Sequence, residues 1–114
     1  MAIPNKAFQP TLTLTIRTTM ELPAFRFVDF TGKLCQANKK ALGVSMGKWS
    51  NGALAGVVVL GTAIVEASVP INAGDKVASD NDGKAKVVTS NEEVNGRALS
   101  SANAGEFVRI LIVP

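Results

Sequence analysis

Three aspartates, Asp75, Asp80 and Asp82, fall within eight residues of one another, a density of carboxylates that invites a calcium reading. An EF-hand loop needs oxygen ligands at its first, third, fifth and twelfth positions and a glycine at its sixth. With Gly83 as that glycine, Asp82 and Asp80 take positions five and three, but Ala78 stands at one and Thr89 at twelve. The first and last ligands are missing. Asp82-Gly83 instead supplies the positive-φ residues that a tight hairpin turn demands.

Other chemistry is excluded by residue type. Histidine is absent, which removes Ser-His-Asp and Cys-His activation and the commonest transition-metal ligand together. Cys35 is the only cysteine; it forms no internal disulfide, fits a reducing compartment and reads as a small buried hydrophobe. Carboxylate catalysis needs two acids held in a cleft with displaced pKa values, yet each Asp sits in turn-like sequence, and Glu66, Glu92, Glu93 and Glu106 flank strands or loops. No glycine-rich phosphate cradle precedes a helix. The expectation is a chain with no catalytic residue, no metal and no cofactor.

What the sequence does repeat is punctuation. Asp29-x-x-Gly32-Lys33 returns as Asp80-x-x-Gly83-Lys84, and Asn38 to Gly43 returns as Asn91 to Gly96. Gly52 and Gly105 each follow nine residues after the last glycine of those segments, ahead of apolar runs at Val57 to Leu60 and Phe107 to Val113. Turns and strands are kept twice over, which points to a β-protein of two loosely repeated halves with pseudo-twofold character.

A chain of 114 residues fits one domain and buries about 65% of its unfolded surface on folding. Only five Phe and one Trp are present, with no Tyr, so Val, Ile, Leu and Ala must build the core. The net charge of +3 is uneven. Residues 1–50 hold seven basic and two acidic residues, a balance of +5, and residues 51–114 hold five and seven, a balance of −2. No basic run exceeds Lys39-Lys40, a poor basis for a nucleic-acid groove. The apolar stretch Ala53 to Val65, broken by Gly56 and Gly61, is too short to cross a bilayer as a helix. Met1 to Lys6 lacks the charged-then-apolar pattern of an export leader.

Along the chain, residues 1–10 read as an extended arm bracketed by Pro4 and Pro10, with Ile3, Ala7 and Phe8 as its apolar handles. Residues 11–114 form the single β domain. Thr11 to Arg17 alternates strictly, Leu12, Leu14 and Ile16 against Thr11, Thr13, Thr15 and Arg17, as a half-buried antiparallel strand does. Further strands are predicted at Ala24 to Phe30, Leu34 to Ala37, Ala41 to Met46, two across Ala53 to Ala67 with a bend at Gly61, Lys76 to Ser79, Lys84 to Thr89, Ala98 to Ser100 and Phe107 to Val113. A single helical turn is predicted at Asn91 to Val94. Asn51-Gly52 marks a tight turn, and Trp49 beside it is either a lid on one end of the core or an exposed anchor for a partner.

Four segments then carry a likeness. Ile71-Asn72-Ala73-Gly74-Asp75-Lys76-Val77, Asp80-Asn81-Asp82-Gly83-Lys84, Val94-Asn95-Gly96-Arg97-Ala98-Leu99 and Ala102-Asn103-Ala104-Gly105-Glu106-Phe107-Val108-Arg109-Ile110 resemble, in order and spacing, the capsid cement or head decoration proteins of tailed bacteriophages. The likeness covers about residues 40–114, with Leu42-Gly43-Val44 matching an internal element and Lys48-Trp49 matching none. It implies a small β-barrel or folded β-ribbon of β-clip or β-tulip type, made in the host bacterial cytoplasm and bound to the outer capsid surface of the virion. Its partners would be the major capsid protein and itself, as a homotrimer, with no nucleic acid and no membrane. Ile3, Pro4, Phe8, Pro10 and Trp49 are the expected capsid or inter-subunit contacts, residues 2–10 acting as a strap. A tail or baseplate module would use the same turns and strands, and a nucleic-acid-binding barrel would draw on the +5 of the first half.

Overall fold

The computed structural model describes residues 8–114. Eight strands form one all-antiparallel sheet: β1 (Pro10–Arg17), β2 (Arg26–Val28), β3 (Gly43–Ser45), β4 (Leu54–Glu66), β5 (Lys76–Ser79), β6 (Ala85–Val87), β7 (Gly96–Ala98) and β8 (Phe107–Ile112). The neighbour order is β2-β3-β4-β8-β7-β5-β6, with β1 added on β4. The ends of that path meet where the Phe27 amide donates to the Gly83 carbonyl at 2.7 Å. Beside it, Ala67 bridges Ala85 in parallel, so the sheet curls into a nearly closed barrel.

The repeated punctuation has a physical counterpart. In the first turn Asp29 Oδ1 accepts the backbone amides of Thr31 and Lys33, and in the second Asp80 Oδ1 accepts those of Asp82 and Lys84. Gly32 and Gly83 follow with φ of 84° and 73°. From each turn the chain proceeds alike: β3 lies between β2 and β4, and β7 lies between β5 and β8. Leu34 bridging Val28 is the single-rung counterpart of β6 on β5. The two halves then join by their equivalent strands β4 and β8, antiparallel from Thr62↔Leu111 to Glu66↔Phe107, which makes the order nearly palindromic.

The core is aliphatic, as the shortage of aromatics requires. Val44, Val58, Val65, Val77, Val108 and Ile110 from both halves pack around Phe27. A smaller cluster, Leu22, Val28, Val57 and Val59, lies under Ile16, Leu34, Leu42 and Trp49. Phe25 adopts φ of 63°, unusual for a bulky residue. Its amide donates to the Ser45 carbonyl, its carbonyl accepts from the Glu66 amide, and its ring meets Phe107 edge-on at 5.2 Å.

Several expected elements differ. Ala53 to Ala67 is one strand, not two: Gly61 with φ of 98° bends it without ending it, and the chain exchanges β1 and β3 for β8 as neighbours. Leu34 to Ala37 contributes one bridge only, because a turn closed by Lys39 N to the Gln36 carbonyl takes the chain away. Asn91 to Val94 forms no helical turn; the Glu93 amide donates to the Asn38 carbonyl, and the Val94 carbonyl accepts Lys40 Nζ, so its backbone is bound to distant residues. The strand expected at Ala98 to Ser100 lies two residues earlier, at Gly96–Ala98, and that expected at Ala24 to Phe30 is shortened to Arg26–Val28. β1 begins at Pro10, inside the segment read as arm, and most of it is exposed on both faces, contrary to the half-buried expectation. β1 lies outside the core because β4 already covers it there.

Gly32 and Gly74 separate two costs of adding a side chain. A Cβ at Gly32 would strike the Arg17 carbonyl oxygen, whereas at Gly74, with φ of 94°, nothing lies within 4 Å. Gly74→Ala should cost about 1–2 kcal/mol for the left-handed backbone alone, and Gly32→Ala about 1–3 kcal/mol more for overpacking. Urea unfolding midpoints of the two variants check the difference; equal losses would contradict the close approach.

Candidate interaction surface

Five of the nine acidic side chains, Asp29, Asp75, Asp80, Glu92 and Glu106, are engaged in shaping turns. Besides Asp29 and Asp80, Asp75 accepts the Asn72 amide at 2.8 Å, and Glu106 accepts the Asn103 amide at 2.8 Å in a turn of matching sequence. Glu66 instead holds two cations, Arg26 at 3.4 Å and Lys84 at 3.3 Å, across the seam between halves. Among the described residues no group of three or more His, Cys, Asp or Glu is arranged to hold a metal ion. Asp75 and Asp80 brace their turns through their carboxylates, and Asp82 takes part through its backbone amide.

An open hollow of about 520 Å³ is lined by Asn38, Lys86, Thr89, Ser90, Asn91 and Glu92. Its carboxylate is already engaged. Glu92 accepts Thr89 N at 3.1 Å, Thr89 Oγ1 at 3.0 Å and Ser90 N at 2.7 Å. Hydrogen bonds from its own amide and that of Thr89 lower its pKa to about 2. Cys35 is buried and its pKa is raised, chiefly by desolvation; a protonated buried thiol is a poor nucleophile. Lys40 reaches inward to the Val94 and Val113 carbonyls, and desolvation lowers its pKa.

What remains exposed and unusual is apolar. Leu12 and Leu14 on β1 are 43% and 39% exposed, and Phe30, beyond β2, is 67% exposed. With Leu42, Leu60 and Pro114 they line an open groove of about 310 Å³. β4 positions it, pairing Leu12 with Leu60 and Leu14 with Val57, so the Leu side of β1 lies over the outer flank of the smaller core cluster. A contiguous apolar surface of this kind marks an interaction site more often than chance exposure does.

The sequence-derived contact residues are not gathered there. Ile3 and Pro4 lie outside the described residues. Phe8 borders a separate hollow with Gln9, Thr62, Leu99 and Arg109. Pro10 sits in β1 opposite Gly61. Trp49 bridges Leu22 and packs half-buried on the smaller cluster, its Nε1 buried without a hydrogen-bond partner among the described residues, which is the lid arrangement. Sequence reasoning placed Leu12 and Leu14 inward and passed over Phe30, Leu42, Leu60 and Pro114. Phe30, one residue after the Asp29 turn begins, carried the only usable signal, a large aromatic where the chain must be at the surface.

The sequence pattern that defines phage cement proteins matches residues 6–112. The chain belongs to the phage cement protein family. It is thus a structural protein of the phage capsid, associated with the virion. In fold it is similar to the head fiber gp8.5 N base of bacteriophage phi29, with a TM-score of 0.75 and 22% identity over 90% of this chain and 93% of that one. No curated protein matches the cement chain.

The Glu92 clamp has a pH signature. A carboxyl lowered from 4.5 to about 2 in the fold adds stability that is fully present above 4.5 and lost as pH falls through about 2. The Thr89 and Ser90 amide resonances should titrate with a midpoint near 2 and lose that transition in Glu92→Gln. A midpoint at the ordinary carboxylate value would contradict the clamp.

Proposed function

We propose that this protein binds the outer surface of the assembled head, as a homotrimer on the major capsid protein, and reinforces the shell against the pressure of packaged DNA. Membership of the cement family over residues 6–112 carries the reading. The fold suits it. Carboxylates that brace turns and the Arg26–Glu66–Lys84 network across the seam suit a stiff domain that works through its surface. An apolar groove beside a long exposed strand gives it surface with which to grip. Weak contacts repeated over an icosahedral lattice sum through avidity, and about 800 Å² buried per partner suffices for one specific contact.

Residues 2–10 act as a strap in this reading, carrying Ile3 and Phe8 to a neighbouring subunit or to the capsid protein. The solved relative, described as the base of a head fiber, also favours a head location over a tail or baseplate one.

Adding the purified protein to heads that lack it should restore bound copies in co-sedimentation and raise the temperature at which the heads release DNA. Heads that bind none, or bind it without gaining heat resistance, would refute the reading. Gln9 exchanges hydrogen bonds with Thr62 and Pro10 opposes Gly61, so the strap is tested by removing residues 2–7 together with Phe8→Ala, which takes away both apolar anchors and spares β1. Occupancy on heads should fall by about tenfold or more; undiminished binding ends the strap assignment.

A further inference from the structure

We infer that β1 is a homotypic edge: two copies of this chain pair their β1 strands antiparallel about a twofold axis through Thr13. Among the described residues β1 pairs only with β4, so on its other edge alternate residues of this exposed strand present unpaired backbone N–H and C=O groups, up to Arg17, whose carbonyl oxygen lies against Gly32. Such an edge is normally blunted by lysines, inward charges, short length or irregularity. Here the only charge is Arg17 at the far end, and its guanidinium is turned to the Gly52 carbonyl at 2.8 Å. The register slips lie at the start, between Pro10 and Thr13, and leave Thr13 to Arg17 in step with β4.

The sequence of this edge selects a second copy as its occupant. Thr11-Leu12-Thr13-Leu14-Thr15 reads identically in both directions. Antiparallel pairing centred on Thr13 sets Thr13 against itself, Thr11 against Thr15 and Leu12 against Leu14. Every threonine then faces threonine on one side of the joined sheet, and every leucine faces leucine on the other, both favourable cross-strand pairs. Arg17 falls opposite Gln9, so no like charges meet. The leucine sides of both copies face the same way, which brings each groove of Leu12, Leu14, Leu42, Leu60 and Phe30 alongside its twin and shields Leu12 and Leu14 from water. A contact of this symmetry is isologous. It is a different surface relation from a threefold ring, and it links one ring to the next.

The inference stands on the fold, independently of head binding. Cysteines facing each other across an antiparallel pair are within disulfide reach, with Cα atoms about 4.5–5.5 Å apart. Under mild oxidation Thr13→Cys should crosslink to itself, Thr11→Cys and Thr15→Cys should each stay uncrosslinked alone, and an equimolar mixture of those two should crosslink. Thr13→Lys and Thr13→Glu should each weaken association in sedimentation by about tenfold or more, and mixing them should restore it. The inference is overturned if Thr13→Cys does not crosslink, if all three positions crosslink alike, or if Thr13→Lys lowers occupancy on heads while leaving self-association unchanged. The last result would assign the edge to the capsid protein. Thr13 is exposed, so these variants retain the core, and wild-type protein that fails to bind heads while Thr13→Cys still crosslinks would refute the cement reading alone.

Discussion

The architecture depends on one strand serving two neighbourhoods. β4 runs thirteen residues, pairs with β1 and β3 over its first half and with β8 over its second, and turns between them at Gly61. A side chain there would collide with the Gln9 carbonyl and the Thr11 amide, so close passage of the incoming chain and the left-handed bend demand the same residue. Without the bend β4 would continue flat, and the halves would lie side by side as an open sheet. With it, Phe27 reaches Gly83 and the barrel closes.

Closure explains where the charges and polar groups go. A small barrel has little interior to spare, and this one fills it with Val, Ala and Ile around a single Phe. Polar residues are drawn into the connections. Asn95 is buried because its Oδ1 takes the Ala41 amide and its Nδ2 donates to the Lys39 carbonyl, tying the end of one repeat to the same place in the other. Acids that could have formed a catalytic pair are separated into individual turns, Asp29, Asp80 and Glu92 each satisfying two backbone amides and Asp75 and Glu106 one.

Much of this was legible in the sequence because it is written in local rules. The Asp-x-x-Gly-Lys motif specifies its own hydrogen bonds, so both copies fold alike wherever they stand, and a strand follows the Gly105 turn as expected and the Gly52 turn as one long strand in place of two. Non-local relations were not legible. The alternation of β1 correctly gives a strand, yet periodicity states only that two faces differ and not that either meets the core; that depends on β4 having β3 and β8 as its other neighbours. Asn91 to Val94 has the composition of a helical turn, but backbone partners at Asn38 and Lys40 outcompete an isolated turn, which is marginal alone. The groove joins residues from 12 to 114 and has no sequence signature.

The antiparallel seam between β4 and β8 also gives the domain a mechanical direction. Pulled along the strands, the rungs from Thr62↔Leu111 to Glu66↔Phe107 share the load and must rupture together. Pulled across them, they open singly, like a zipper. The same few hydrogen bonds therefore make the molecule stiff against shear and compliant against peeling, and the orientation in which it is loaded decides which it is.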